Sequence, residues 1–247
     1  MKNAKRIVAL ALVLALTVAG SIAGTIAYLK DTDDALNTMT LGDVYIEQWE
    51  KDKAGDPFEQ DQPLFPMVDN REEGDETVVD GFFNEKMANV IDKVVTVENT
   101  GSEDAYVRTI FAFEGTPVLH DTYIGILRTN NPETWVFDYV DATYDEAGNL
   151  LDAATVEIDG VVHTLAVATY QKVLPAEGED ITPASLKQFF LAPTAGNEIV
   201  DLFDDEYTIY AFSQGVQVAG FTSAEHALNT AFGEITATNN PWFVPAE

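Results

Sequence analysis

The chain has 247 residues, 46% of them hydrophobic, enough for a sizeable core, and its 42 Asp and Glu against 13 Lys and Arg leave a formal charge of −29. A surface that negative repels phosphate backbones and anionic headgroups, which sets nucleic-acid binding and peripheral membrane docking aside. There is no cysteine, so disulfide frameworks, thiolate metal sites and cysteine nucleophiles are excluded.

Residues 1–27 have the three parts of an export signal. Lys2, Lys5 and Arg6 come first, an apolar run over 7–19 follows, and small residues lead to Thr25-Ile26-Ala27. Cations stay on the cytoplasmic side, the apolar helix enters the bilayer, and the peptidase takes small side chains beside the cut. The expected cut lies between Ala27 and Tyr28. The rival reading is an uncleaved anchor, since about 20 residues span a bilayer; Gly20, Ser21 and Gly24 weaken that helix. Cleavage leaves ten cations facing 42 acids, a charge of −32.

The remainder, 28–247, reads as one β-sandwich domain. Residues 28–32 and 39–46 are β-compatible, and 28–43 is a candidate donor segment: a freed terminal strand adds either to its own sheet or to a neighbour's. Both outcomes stand on physics alone. A strand over 44–49 is followed by an acidic surface excursion over 50–85, where eleven acids fall within 50–80 and Pro57, Pro63 and Pro66 interrupt any ladder. Alternation over 90–98 and over 105–114, around Asn99-Thr100-Gly101-Ser102, predicts a hairpin; in the second strand Ala105, Val107, Thr109, Phe111 and Phe113 face a core. A strand is expected over 135–140. Residues 155–158 and 161–173 flank Asp159-Gly160, which suits a type I′ hairpin turn.

Residues 185–191 are expected to form a short helix, and 207–218 a strand bulged at Gly215. Thr222-Ser223-Ala224-Glu225 has capping-box spacing, with Thr222 as cap; Ala227, Leu228, Ala231 and Phe232 share a helix face that Gly233 ends. Seven to nine strands, mostly antiparallel, with one or two short helices give an all-β fold, an antiparallel two-sheet sandwich.

Chemistry is sparse. His120, His163 and His226 share no ligand spacing, and His163, alternating with Val161 and Leu165, reads as a satisfied sheet histidine. No G-x-S-x-G elbow, P-loop or dinucleotide fingerprint is present. No catalytic residues, metal ligands or cofactors are therefore expected. Asp31, Asp33 and Asp34, and Asp141, Asp145 and Glu146, offer oxygens to Ca²⁺, but neither cluster follows the EF-hand pattern. Two rivals to a structural role stay open. One is a carbohydrate or host-ligand binding module using Trp135, Tyr139, Tyr144 or Trp242; the other is a surface hydrolase using two of the acids.

Gly24-Thr25-Ile26-Ala27-Tyr28, then Asp31-Thr32, Asn37 and Thr40-x-Gly42-x-Val44-x-Ile46, resemble the signal junction and first strand of the TasA and camelysin-type family. The likeness continues over 94–108 and 217–233, and is less diagnostic over 115–206. Leu29-Lys30 stands where Phe-Thr is more frequent, and Met39 replaces a frequent Phe. The resemblance implies a jelly-roll sandwich, export through a SipW-type signal peptidase of Gram-positive bacteria, and a place at the cell surface. For TasA-like members it also implies biofilm-matrix fibres, in which the N-terminal strand of one subunit completes the sheet of the next. On this sequence the donor residues would be Tyr28, Leu29, Met39 and Leu41, and the partners other copies of the chain, the signal peptidase and accessory matrix proteins. No zinc motif matches the metallopeptidase label of camelysin, so that activity is not carried over.

Overall fold

A computed structural model describes the backbone of residues 38–41 and all atoms of 44–59, 64–178, 180–203 and 207–245. The signal segment 1–27 with its junction residues Thr25, Ala27 and Tyr28, and the donor candidate Leu29, lie outside the described residues. In chain order the strands are β1 (Thr38–Leu41), β2 (Ile46–Lys51), β3 (Val68–Asp69), β4 (Val78–Val79), β5 (Phe82–Phe83), β6 (Met87–Ala88), β7 (Val90–Asn99) and β8 (Ala105–Glu114). There follow β9 (Ile124–Arg128), β10 (Trp135–Tyr139), β11 (Thr143–Tyr144), β12 (Leu150–Asp152), β13 (Thr155–Ile158), β14 (Val161–Tyr170), β15 (Leu186–Leu191) and β16 (Ile209–Gln217). Among the described residues three short α-helices join them, α1 (Pro117–Tyr123), α2 (Asn197–Val200) and α3 (Ala224–Phe232), with a 3-10 turn over Asp201–Phe203.

The architecture is a two-sheet β-sandwich. Sheet A runs β1-β16-β8-β14-β10, with β13 also on β14; sheet B runs β2-β7-β15-β9. The chain passes between sheets from β7 to β8, β8 to β9, β9 to β10, β14 to β15 and β15 to β16, a jelly-roll-like path. Apart from β1, which runs parallel to β16, the pairings of the two main sheets are antiparallel. The inner faces of the sheets enclose Val95, Val97, Val107, Phe111, Phe113, Trp135, Phe137, Leu186 and Phe189.

Local pattern and pairing part company at several points. β7 alternates as expected, burying Ile91, Lys93, Val95, Val97 and Asn99, yet β7 and β8 do not form a hairpin: they lie in opposite sheets. Their connection is drawn across the sandwich because Thr100 and Gly101 donate to Tyr45 O, while Asn99 Nδ2 donates to Glu103 O and Leu174 O. β8 is buried on both faces, since Tyr106 lies under α3 and Ile110 and Ala112 lie against Val140, Val156 and Ile235. At the Asp159-Gly160 turn both residues have positive φ, 52° and 86°, as a type I′ hairpin requires.

Residues 186–191 form a strand between β7 and β9, not a helix. A register shift at Lys187 places Leu186, Gln188, Phe189 and Leu191 in the interior, and this interrupted alternation imitates helical spacing. β16 has no bulge at Gly215, its nine residues pairing with β8 in unbroken register. α3 starts one residue later than the capping box suggests: Ser223, extended at φ −151° and ψ 153°, accepts from His226 N. Gly233 closes the helix at φ 82°. Between β2 and β7, Met67 N donates to Leu191 O and Leu64 is buried, while Arg71–Asp69, Lys86–Asp75 and Lys53–Glu85 pair on the surface.

Candidate functional site

The N-terminal edge of the sandwich is built from β1, β16 and β2. All nine residues of β16 are flanked by β8, but on its other side β1 flanks only Ser213, Gln214, Gly215 and Val216. Among the described residues no strand flanks 209–212. Of the donor candidates, Met39 occupies the register position beside Gln214 and Leu41 that beside Val216. β1 thus pairs with its own chain through four residues at an outer edge.

β2 closes over this edge from the opposite sheet. Gly215 makes the closure possible, because a β-carbon there would lie 2.9 Å from Ile46 Cγ2 and 3.3 Å from Val44 Cγ1. Deeper in, a polar chain links the two sheets. Thr109 Oγ1 and Ser213 Oγ are 2.9 Å apart, and Ser213 Oγ donates to Gln48 Oε1 at 2.7 Å. Gln48 Nε2 then donates to Ala211 O at 3.2 Å and to Glu50 Oε1 at 2.9 Å. Glu50 forms an ion pair with Lys93, whose ammonium lies 4.2 Å from the centre of the Phe58 ring. Unmade buried hydrogen bonds are expensive, so such a chain fixes the register of β2 over β16. The residues that build it stand at unrelated spacings in the sequence; the one local hint is the polar positions Gln48, Lys93, Thr109 and Ser213 on otherwise apolar strand faces.

On the outer face of sheet A, Arg108 is 3% exposed and anchors α3. Its Nε donates to Gln214 Oε1 at 2.7 Å, Nη1 to Asn229 Oδ1 at 2.8 Å and Nη2 to Gly233 O at 2.9 Å. Burial lowers its pKa to about 10, and the negative end of the helix supplies the compensating field. Beside it lies a cavity of about 330 Å³ bordered by Val136, Val167, Leu228, Asp138 and Glu234.

The histidines are engaged separately. His120 is buried between two phenols, with Nδ1 2.9 Å from Tyr207 Oη and Nε2 2.7 Å from Tyr139 Oη. Burial, aided by the Arg128 charge, lowers its pKa to about 3, and burial raises both tyrosines. His163 Nδ1 donates to Val161 O, but the buried Nε2 has no partner among the described residues, so this sheet histidine is half satisfied there. The His226 ring packs against Phe221.

Of the aromatic candidates for sugar stacking, Trp135 is fully buried, with Nε1 donating to Pro183 O. Tyr139 is held by His120, Trp242 leans on Tyr210 and Tyr144 is exposed. The Asp145 carboxylate is taken up by Ala147 N, Asn149 N and Asn149 Nδ2. Asp31, Asp33 and Asp34 lie outside the described residues. Among the described residues no three His, Asp or Glu side chains come together to hold a metal, and no helix is long and apolar enough to cross a membrane. Comparison with protein-family models, with curated proteins and with solved structures finds no match to this chain.

Proposed function

We propose that this chain is an exported, non-enzymatic subunit of extracellular matrix or surface fibres, which polymerises by donating its N-terminal strand once the signal segment has been removed. The observation that carries the reading is the place of β1 at the outer edge of sheet A, where it pairs in parallel with β16 while every other described pairing of the two main sheets is antiparallel. A short terminal strand on an open edge is exchangeable: the same hydrogen bonds form whether it comes from the same copy or the next. Exchange in one direction without closure builds a filament. The resemblance of residues 24–46 to a fibre-forming family points the same way.

The test is negative-stain microscopy of the chain starting at Tyr28 beside one that starts at Val44. A strand-donating subunit gives filaments from the first and dispersed particles from the second. A chain starting at Tyr28 that stays monomeric at high concentration, in salt and in mild acid, removes the proposal.

A further inference from the structure

Lys93 of β7 and Gln48 of β2 are polar side chains on inward strand faces, each 4% exposed. Glu50 of β2 stands between them. Its Oε1 accepts from Gln48 Nε2 at 2.9 Å, and its Oε2 takes the Lys93 ammonium. One carboxylate therefore brings a buried amine and a primary amide together, with an acid–base group touching both nitrogens.

The surroundings suit a reaction between the two. Gln48 Nε2 also donates to Ala211 O, a group that can only accept, and this fixes which end of the amide is nitrogen. The carbonyl oxygen then faces Ser213 Oγ, which donates to it at 2.7 Å. Thr109, 2.9 Å from Ser213 Oγ, is left as the donor to Ser213. A hydroxyl aimed at a carbonyl oxygen is placed to stabilise the oxyanion of a tetrahedral intermediate. The Phe58 ring, its centre 4.2 Å from Lys93 Nζ, covers the amine. The side chains of Lys93 and Glu50 are 5% and 13% exposed, so little water reaches the pair, while the Glu50 side offers a way out for a small product.

An ion pair buried to this degree is a weak source of stability, because desolvation offsets the attraction. Proton transfer from Lys93 to Glu50 removes both charges and leaves a neutral amine, the nucleophilic form of lysine, beside an amide carbon. The chain has no cysteine, so no disulfide can staple its sheets.

We propose that Lys93 and Gln48 join in an intramolecular isopeptide bond, formed by the folded chain itself. Lys93 Nζ passes a proton to Glu50 Oε2 and attacks Gln48 Cδ, and the carbonyl electron pair moves onto Oε1, held by Ser213. Glu50 hands that proton to Nε2 and takes a second one from Nζ. The Cδ–Nε2 bond breaks, Oε1 becomes a carbonyl oxygen again, and ammonia leaves with the second proton as ammonium. One alkylammonium and one primary amide thus give one secondary amide and one ammonium, with Glu50 restored as the carboxylate. The bond ties β2 to β7 and closes the chain between them, the role a disulfide plays in other proteins. Strand donation plays no part in it.

The test is mass spectrometry of the folded chain, intact and after trypsin. The wild type should be lighter than its sequence by one ammonia. It should also give a branched peptide joining 31–51 to 87–108, because trypsin does not cut at an acylated lysine. Glu50→Gln keeps the shape of the seam but lacks the proton relay, so its linked fraction should fall at least about tenfold; Lys93→Arg should give the unshifted mass. If neither variant folds, the wild-type mass and the branched peptide decide alone. The proposal is overturned by an unshifted wild-type mass, by ammonia lost without the branched peptide, by a link from Lys93 to Glu50 with loss of water, or by full linking in folded Glu50→Gln. Every readout comes from a single chain, so failure here is distinguishable from failure to form filaments. In the Glu50→Gln background, Gln48→Leu reports the hydrogen bonds of Gln48 apart from the link.

Discussion

Gly215 of β16 and Ile46 of β2 meet across the sandwich so closely that a single added β-carbon would lie 2.9 Å from Ile46 Cγ2. The glycine serves inter-sheet contact, not backbone bending, because β16 keeps its register on β8 through this position. Gly215→Ala should therefore destabilise the fold by about 1–3 kcal/mol through overpacking. Denaturant unfolding checks this, and an unchanged midpoint would show that β2 yields freely.

The polar chain across the same seam makes a second prediction. Gln48→Leu removes the acceptor of the Ser213 hydroxyl and a donor to Ala211 O and Glu50, and should destabilise by about 1–3 kcal/mol. A double-mutant cycle with Ser213→Ala should show a coupling of roughly 0.5 kcal/mol or more. Additive losses would mean the two side chains act independently.

His120 sets a pH dependence. Its folded pKa of about 3 lies below the 6.5 of an unperturbed imidazole. Unfolded chain takes up the proton first, so stability is fully present above about 6.5, declines as pH falls through that value, and levels off below about 3. Thermal unfolding across this range should show that slope. His120→Gln should flatten it while lowering stability at neutral pH, because Tyr139 and Tyr207 lose their shared partner.

Strand donation is tested within β1 by proline. Adjacent amides in a strand point in opposite directions, so only one of Met39→Pro and Thr40→Pro removes an N–H that faces β16. That variant should abolish filaments, by sedimentation, and shift monomer stability by about 1–2 kcal/mol at most, since β1 holds only four residues. Filaments from both variants would place the donor contact elsewhere.

Charge supplies a fifth prediction. Copies cut at the proposed junction would carry −32 and repel one another, so assembly followed by light scattering should increase with salt, with divalent cations and on acidification towards about pH 5. Proton uptake by His120 on unfolding opposes this gain from about pH 6.5 down to about pH 3, so assembly should pass through a maximum and fall again as the pH drops further. Indifference to pH and ionic strength contradicts the electrostatic account.

Alternation along β7, the Asp159-Gly160 turn and the helix over 224–232 were legible because each is set by neighbours a few residues apart; the strand over 105–114 was legible too, but not that α3 and the β13 side of the sheet bury its second face. The seam was legible only in part. Gly215 stood out as an interruption, but the local reading assigned it to a bulge because Ile46, the residue it makes room for, lies near the other end of the chain.

Short-range chemistry thus settles strand propensity, turn type, the absence of thiol chemistry and the sign of the surface field, since these follow from residue identity and periods of two or 3.6. Which strands become neighbours is different in kind. Asn99 and Tyr45 send β8 to the sheet opposite β7, and the shift at Lys187 makes a strand of a helix-like pattern. Pairing exchanges hydrogen bonds and buried surface between distant segments, and only the closed sandwich fixes those terms.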